Sequence, residues 1–365
     1  MKILFLYIGE CYKLPPFLTL LDCLGKEHEL IVACYETRES LSKLKAKYDG
    51  LNVSFVNVLE RQKEEPTIYN RIKNKINRYV EISSKYADSV NGVIKETQYD
   101  KLWIIHERTL YALRDKFNGL SYSFSMYELM DAYPKFLQKI KLALKGADNV
   151  IVAEENRAQI LRVWMELEKT PFVIPNKPLN HPRTINIPLK NDVLGTSDKV
   201  ILYQGHVQKN RNIDAFCEAM PQLKGFQLVV MGGWSEYRDE LQKKYPFVKF
   251  IDFVNPPEHL YITSHAYIGI VKYDYVDLNQ IFCAPNKIYE YAGFGIPMIS
   301  NEVPGLVNTV GRYKAACCID TNDVESIKMA VKTIDKNYDE YCKNATAFYE
   351  ATDIEQIIND VASHL

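Results

Sequence analysis

The chain has 365 residues, 47% of them hydrophobic and 25% charged, with a formal net charge of −1. That composition excludes a disordered or fibrous chain, and the length exceeds one ordinary core, so two domains are expected. The balanced charge excludes a global pull toward nucleic acid, and no run approaches the roughly 18 to 20 apolar residues that cross a bilayer, so a cytoplasmic location is expected.

The opening "MKILFLYIGE" has a short apolar run stopped by Gly9 and Glu10, with no small-residue cleavage site after it, and reads as a first β-strand rather than a signal peptide. Further apolar runs follow as "ELIVAC", "NVSFVNV", "KLWII" and "NVIVA". Each is short and lacks alternation, as expected of parallel strands buried on both faces. Segments with helical spacing lie between them, for example Phe17, Leu18, Leu21 and Leu24, so the pattern is that of βαβ units.

Residues 175–199 interrupt it with prolines at 175, 178, 182 and 188 in polar company, which reads as a linker. The alternation then restarts with "KVILYQ", "FQLVVM", "VKFIDFV", "YIGIV" and "PMIS". The expected fold class is α/β, with two Rossmann-like, doubly wound domains over 1–180 and 190–340 whose strand ends face one cleft. A polar helical segment, 341–365, is expected to cross back toward the first domain. The eight cysteines show no C-x-x-C pair and no metal-ligand spacing, and read as reduced thiols.

Gly9 alone is no G-x-G-x-x-G fingerprint, and no G-x-x-x-x-G-K-[ST] occurs. Nor does any Asp-x-Asp pair, the arrangement a metal-dependent diphosphate site usually needs, so neither metal nor cofactor is expected. A phosphate site must then rest on helix termini and cations. In "YQGHVQKNRNIDAF" (203–216) a strand ends at Gly205, and a loop carrying His206, Lys209 and Arg211 feeds a helix. In "APNKIYEYAGFGIP" (284–297), Pro285 and Asn286 resemble a helix start, with Lys287 in the first turn. A cation there opposes the helix dipole unless an anion lies beside it. Glu290 follows three residues later, either as a surface ion pair with Lys287 or as an acceptor for both vicinal hydroxyls of a ribose. In "WIIHERTL" a strand ends at His106 and Glu107, where a histidine either caps the strand end or touches a polar substrate.

These segments, with "HLYITSHAYIGIVKY" between them, stand in an order and spacing that resembles the GT-B glycosyltransferases of family 4. "PNK–Y–EY–G–GIP" is similar to bacterial capsule and O-antigen sugar transferases. The resemblance implies an acceptor-binding first domain, a second domain holding a nucleotide-sugar, and metal-free transfer with retention to a glycan or lipid-linked acceptor. It implies that Glu290 binds the ribose and that His106 contacts the donor sugar. Arg211 falls where the family has a diphosphate-binding lysine, His206 where it has arginine, and Gly9 in a loop near the diphosphate. Phe253 and Val254 take the base-binding position. One departure is Phe282, where a second glutamate is usual; another is His206 itself.

Two rival readings share the fold, a nucleotide-sugar epimerase using Glu107 and Asp131, or a nucleotide-binding partner whose catalysis has decayed. Basic amphipathic segments at 70–82 and 134–147 raise the expectation of peripheral contact with anionic membrane.

Overall fold

The computed structural model describes residues 1–61, 84–115, 119–185, 194 and 199–365. The basic segment 70–82 lies outside them. The chain divides into two compact units, one of Met1–Pro175 with Ile354–Leu365 and one of Asn176–Asp353.

In the first unit the strands are β1 (Lys2–Leu6), β2 (Glu29–Cys34), β3 (Val53–Asn57), β4 (Lys101–Ile105), β5 (Ser123–Met126), β6 (Asn149–Val152) and β7 (Phe172–Val173). Their order is β3-β2-β1-β4-β5-β6-β7, with every pairing parallel. Chain direction across the sheet reverses between β1 and β4, so the loops after those strands, holding Gly9 and His106, lie at the switch point where such sheets bind ligands.

β5 and β7 are absent from the apolar runs that mark the other strands. The "SFSM" of β5 is fully buried, yet it alternates serine with apolar residues. Its hydroxyls are matched by neighbouring strands: Trp103 Nε1 donates to Ser125 Oγ (2.9 Å) and Asn149 Nδ2 to Ser123 Oγ (3.3 Å). A buried polar atom costs little once it is paired, so serine is stable in this core.

The second unit holds β8 (Lys199–Gln204), β9 (Phe226–Met231), β10 (Lys249–Ile251), β11 (Ile268–Val271), β12 (Met298–Asn301) and β13 (Ala316–Ile319) in the order β10-β9-β8-β11-β12-β13, again all parallel. Successive residues of β8 feed opposite cores. Val200 and Leu202 join one apolar cluster, Ile201 and Tyr203 the other. Here the reversal lies between β8 and β11, which brings the loop Gly205–Arg211 to the switch point.

The helix Lys287–Gly293 follows β11. It is seated by one ring: Tyr291 lies where a side chain on Gly269 of β11 would stand, since a Cβ there would come within 2.5 Å of the ring. The Tyr291 hydroxyl donates to the Leu202 carbonyl of β8 (2.9 Å).

The proline-rich segment is no free spacer over its first residues. Lys177 is buried and donates to the carbonyls of Tyr349 (2.7 Å) and Thr352 (2.6 Å), over the Tyr349 ring. His181 is buried against Gly293 and Phe294. The helix Tyr338–Glu350 remains in the second unit, with Phe348 stacked on Tyr289 at 5.1 Å. The segment joining the first unit begins at Ile354, where the helix Ile354–Ala362 packs on Pro15–Leu24 and Lys26 bonds Glu355 (2.5 Å).

Candidate functional site

In the second unit the site is built at the carboxyl end of β8. Gly205 has φ +132°, a conformation that favours glycine, and a Cβ there would meet the Lys287 ammonium at 3.0 Å. Lys287 is buried, and its Nζ donates to the Gln204 carbonyl at 2.7 Å. The ammonium lies 5.2 Å from the Tyr203 ring and 5.9 Å from that of Tyr273, and the Arg211 guanidinium covers Tyr273 at 4.6 Å. Burial, reinforced by Arg211, pushes the Lys287 ammonium down to about 7, with Glu290 and Cys283 opposing. Two basic side chains thus meet at one half-buried ring, Tyr273, an arrangement that suits an anion.

His206 stands beside them, its carbonyl held by the Tyr203 hydroxyl at 2.6 Å. Partial burial, Arg211 and Lys287 hold its ring below the ordinary histidine value. It therefore enters neutral solution largely uncharged, unlike an arginine. Lys209 is directed elsewhere, pairing at 3.2 Å with Glu240 of the helix Glu236–Lys244, which follows β9.

Lys287 and Glu290 do not form the ion pair that their spacing allows. Glu290 instead accepts from Gln204 Nε2 at Oε2 (2.5 Å) and from His259 Nε2 at Oε1 (3.2 Å). Burial works against its charge, but His259, Lys287 and His181 outweigh it, and the carboxyl stays below its usual range. The carboxylate is thus ionised and partly exposed, with the Lys287 ammonium close enough to act on its charge. Asn286 starts the helix through its backbone carbonyl, which accepts from Tyr289 (2.9 Å) and Glu290 (3.1 Å). Past the end of β10, Phe253 is 58% exposed beside Gly233, while Val254 packs on the core. Phe282 ends the short helix Leu278–Ile281, its backbone against Gly305, so an aromatic residue stands in the chain ahead of the Lys287 helix where a glutamate was the family expectation.

Gln204, His259 and Thr263 escaped the reading of the sequence. Gln204 left one signal, a buried amide directly before the glycine that ends an apolar strand, in "VILYQG". "PPEHLYIT" reads as a polar helix start, and nothing in it marks His259.

In the first unit, His106 ends β4 with φ +76°, rare for a residue with a side chain, and caps the helix Glu107–Leu113. Its Nδ1 accepts from the Arg108 amide (3.3 Å), which puts the ring proton on Nε2, 3.4 Å from the buried Glu107 carboxylate. The other Glu107 oxygen accepts from the Tyr127 amide at 3.3 Å. Gly9 lies under the Tyr7 ring, which a Cβ would strike at 2.4 Å.

Among the described residues no three acidic, cysteine or histidine side chains are grouped to hold a metal ion, and no helix is long and apolar enough to cross a membrane.

The family model described as glycosyl transferases group 1 matches residues 198–337. No curated protein matches the chain. Among solved structures, sucrose-phosphate synthase from Thermosynechococcus elongatus is similar at 17% identity and a TM-score of 0.70, over 100% of this chain and 98% of that one. Anabaena HepE in complex with UDP-glucose is similar at 13% identity and 0.71, over 100% of both chains. A UDP-N-acetylglucosamine 2-epimerase is similar at 15% identity and 0.61, over 99% of this chain and 94% of that one. The chain accordingly has a two-domain GT-B fold, and its match to the glycosyl transferases group 1 model lies in residues 198–337.

Proposed function

We propose that the protein moves a sugar from a nucleoside-diphosphate donor, a UDP-sugar in the first instance, to a hydroxyl of a glycan or lipid-linked glycan. The observation that carries this is the junction of β8 with the helix Lys287–Gly293. An ionised, partly open carboxylate (Glu290) lies there beside Lys287 and Arg211, so one short site offers acceptors for ribose hydroxyls and cations for a diphosphate. The UDP bound in HepE supports the choice of donor.

In this proposal Arg211, Lys287 and helix-start amides stabilise the departing diphosphate, supplying electrostatic stabilisation rather than covalent chemistry. Gly205, His206 and Asn286 border the phosphates, and Phe253 and Val254 border the base. His106 presents Nε2–H to the donor sugar, Gly9 leaves room near it, and Lys209 plays an outer part through its exposed ammonium. Transfer proceeds with retention and without metal or cofactor.

A nucleotide-sugar epimerase is the second reading, favoured by the epimerase likeness and by the buried Glu107 carboxylate facing His106. Both are tested by incubating the protein with UDP-sugars, with and without acceptor glycans, and analysing all products. Transfer that needs an acceptor supports the first reading. Conversion of the donor sugar without acceptor replaces it with the second, and neither outcome overturns both.

Contact with an anionic membrane is proposed through the helix Pro134–Lys145, where the exposed Leu142 lies among four lysines, although Lys141 and Lys145 both reach Glu166 at 2.5 Å. Flotation with anionic vesicles that shows no salt-sensitive binding removes that part.

A further inference from the structure

We propose that His259 and Gln204 are positioning residues that fix the rotation of the Glu290 carboxylate, and that the site thereby distinguishes a ribose from a 2′-deoxyribose. The proposal rests on the nucleotide reading above and names two residues which that reading does not use.

A carboxylate offers about four lone-pair directions on its two oxygens. In this site one direction on each oxygen is taken from within the protein, by Gln204 Nε2 on Oε2 and by His259 Nε2 on Oε1. The Gln204 amide is itself oriented. Its Oε1 accepts from the buried Thr263 hydroxyl at 2.7 Å, and that hydroxyl lies 3.0 Å from the His259 carbonyl. The four residues therefore close a ring running from the His259 side chain through Glu290, Gln204 and Thr263 to the His259 backbone.

Two features separate this ring from ordinary core satisfaction. The Glu290 and His259 side chains keep 15% and 12% exposure, so the carboxylate still has an open side. His259 Nδ1 is also buried without a hydrogen-bond partner. An unpaired buried nitrogen is a cost, and the hydrogen bond that the ring makes in return is the one from Nε2 to Glu290. The rest of the molecule draws no bond from this imidazole among the described residues.

Hydroxyls on adjacent carbons can both bond one carboxylate only if its two oxygens face them together. Free rotation about the last side-chain bond lets the carboxylate satisfy one hydroxyl and abandon the other. Donors fixed at each oxygen prevent that rotation. A ligand with both hydroxyls then gains two bonds to a charged group, and a 2′-deoxy ligand gains one.

The experiment is calorimetric binding of UDP and 2′-deoxy-UDP to the full chain and to His259→Ala, His259→Gln and Thr263→Val. The unsubstituted protein is expected to prefer UDP by roughly tenfold or more, the scale of one hydrogen bond to a charged group. His259→Ala lowers that preference toward unity while changing 2′-deoxy-UDP binding little. His259→Gln keeps an amide donor and retains most of the preference. Thr263→Val, which frees the Gln204 amide, lowers it in the same direction and serves if His259→Ala does not fold. Equal weakening of both ligands, or an unchanged preference, overturns the proposal while leaving nucleotide binding intact. If the unsubstituted protein binds no UDP, the nucleotide reading fails as well.

Discussion

Lys287 bears a cost that an anion would relieve. Its ammonium is buried at the end of β8 against the Gln204 carbonyl, and Arg211 adds a like charge nearby. An unfolded lysine titrates near 10.4, whereas this one is pushed down to about 7. Between those two pH values the unfolded chain holds a proton that the folded chain does not. Stability of the empty protein therefore rises with pH across that window and is lowest below about pH 7, where the buried ammonium is charged. Lys287→Met is expected to flatten this rise, as read by denaturant unfolding at several pH values. A bound diphosphate favours the charged form again, so UDP binding near pH 8 is expected to take up close to one proton. Calorimetry in buffers of different ionisation enthalpy measures the uptake, and heats independent of buffer would overturn the idea. The sequence already placed Lys287 against the helix dipole and Glu290 three residues on. It left open whether they pair, because spacing alone does not say that a glutamine amide and a histidine have already claimed the carboxylate.

The helix Lys287–Gly293 is positioned less by its own residues than by what β11 lacks. Gly269 leaves the space that the Tyr291 ring fills, and the Tyr291 hydroxyl ties the helix across to β8. Gly269→Ala would put a methyl group within 2.5 Å of that ring, and neither the sheet backbone nor a fully buried tyrosine can yield cheaply. Overpacking of this kind costs about 1–3 kcal/mol. The expected outcome is a lower denaturant midpoint together with weaker UDP binding, since Lys287 and Glu290 ride on the same helix. A variant with unchanged midpoint would show that the helix is not seated by this contact. At this scale the sequence was readable where burial on both faces wrote itself as continuous apolar runs, as in β1, β4 and β8. It was unreadable where polar residues are buried but paired. Ser123 and Ser125 hide β5, and Lys177 and His181 make a docked segment look like a solvated linker.

Over the whole molecule, each unit is a parallel sheet whose strand order reverses once, and part of the candidate set falls on the loops at those reversals: Gly9 and His106 in the first, Gly205 to Arg211 in the second. The doubly wound class followed from strand and helix alternation, because connections in such sheets leave few topologies to choose from, whereas the candidate residues came from loop chemistry and the family resemblance. With a net charge of −1, the chain has no global field to draw in an anionic ligand. Affinity for a nucleotide must then come from the local cluster of Lys287 and Arg211, and it should scale with the phosphate charge that the cluster meets. In a thermal-shift panel of UDP, GDP, ADP and CMP, the diphosphates are expected to stabilise the protein and CMP, with one phosphate, to do so least. A ligand at about 100 times its Kd adds about 2.7 kcal/mol, a rise of a few degrees for a chain of this size. Arg211→Ala should remove most of the rise, because the guanidinium is a permanent cation, whereas His206 is held below its ordinary value. A chelator should leave the rise unchanged. If the rise vanishes with chelator, the diphosphate is held through a metal ion and the metal-free part of the proposal is wrong. If CMP matches UDP, the cations at β8 do not read the diphosphate, and the site at Gly205 binds its ligand by some other group.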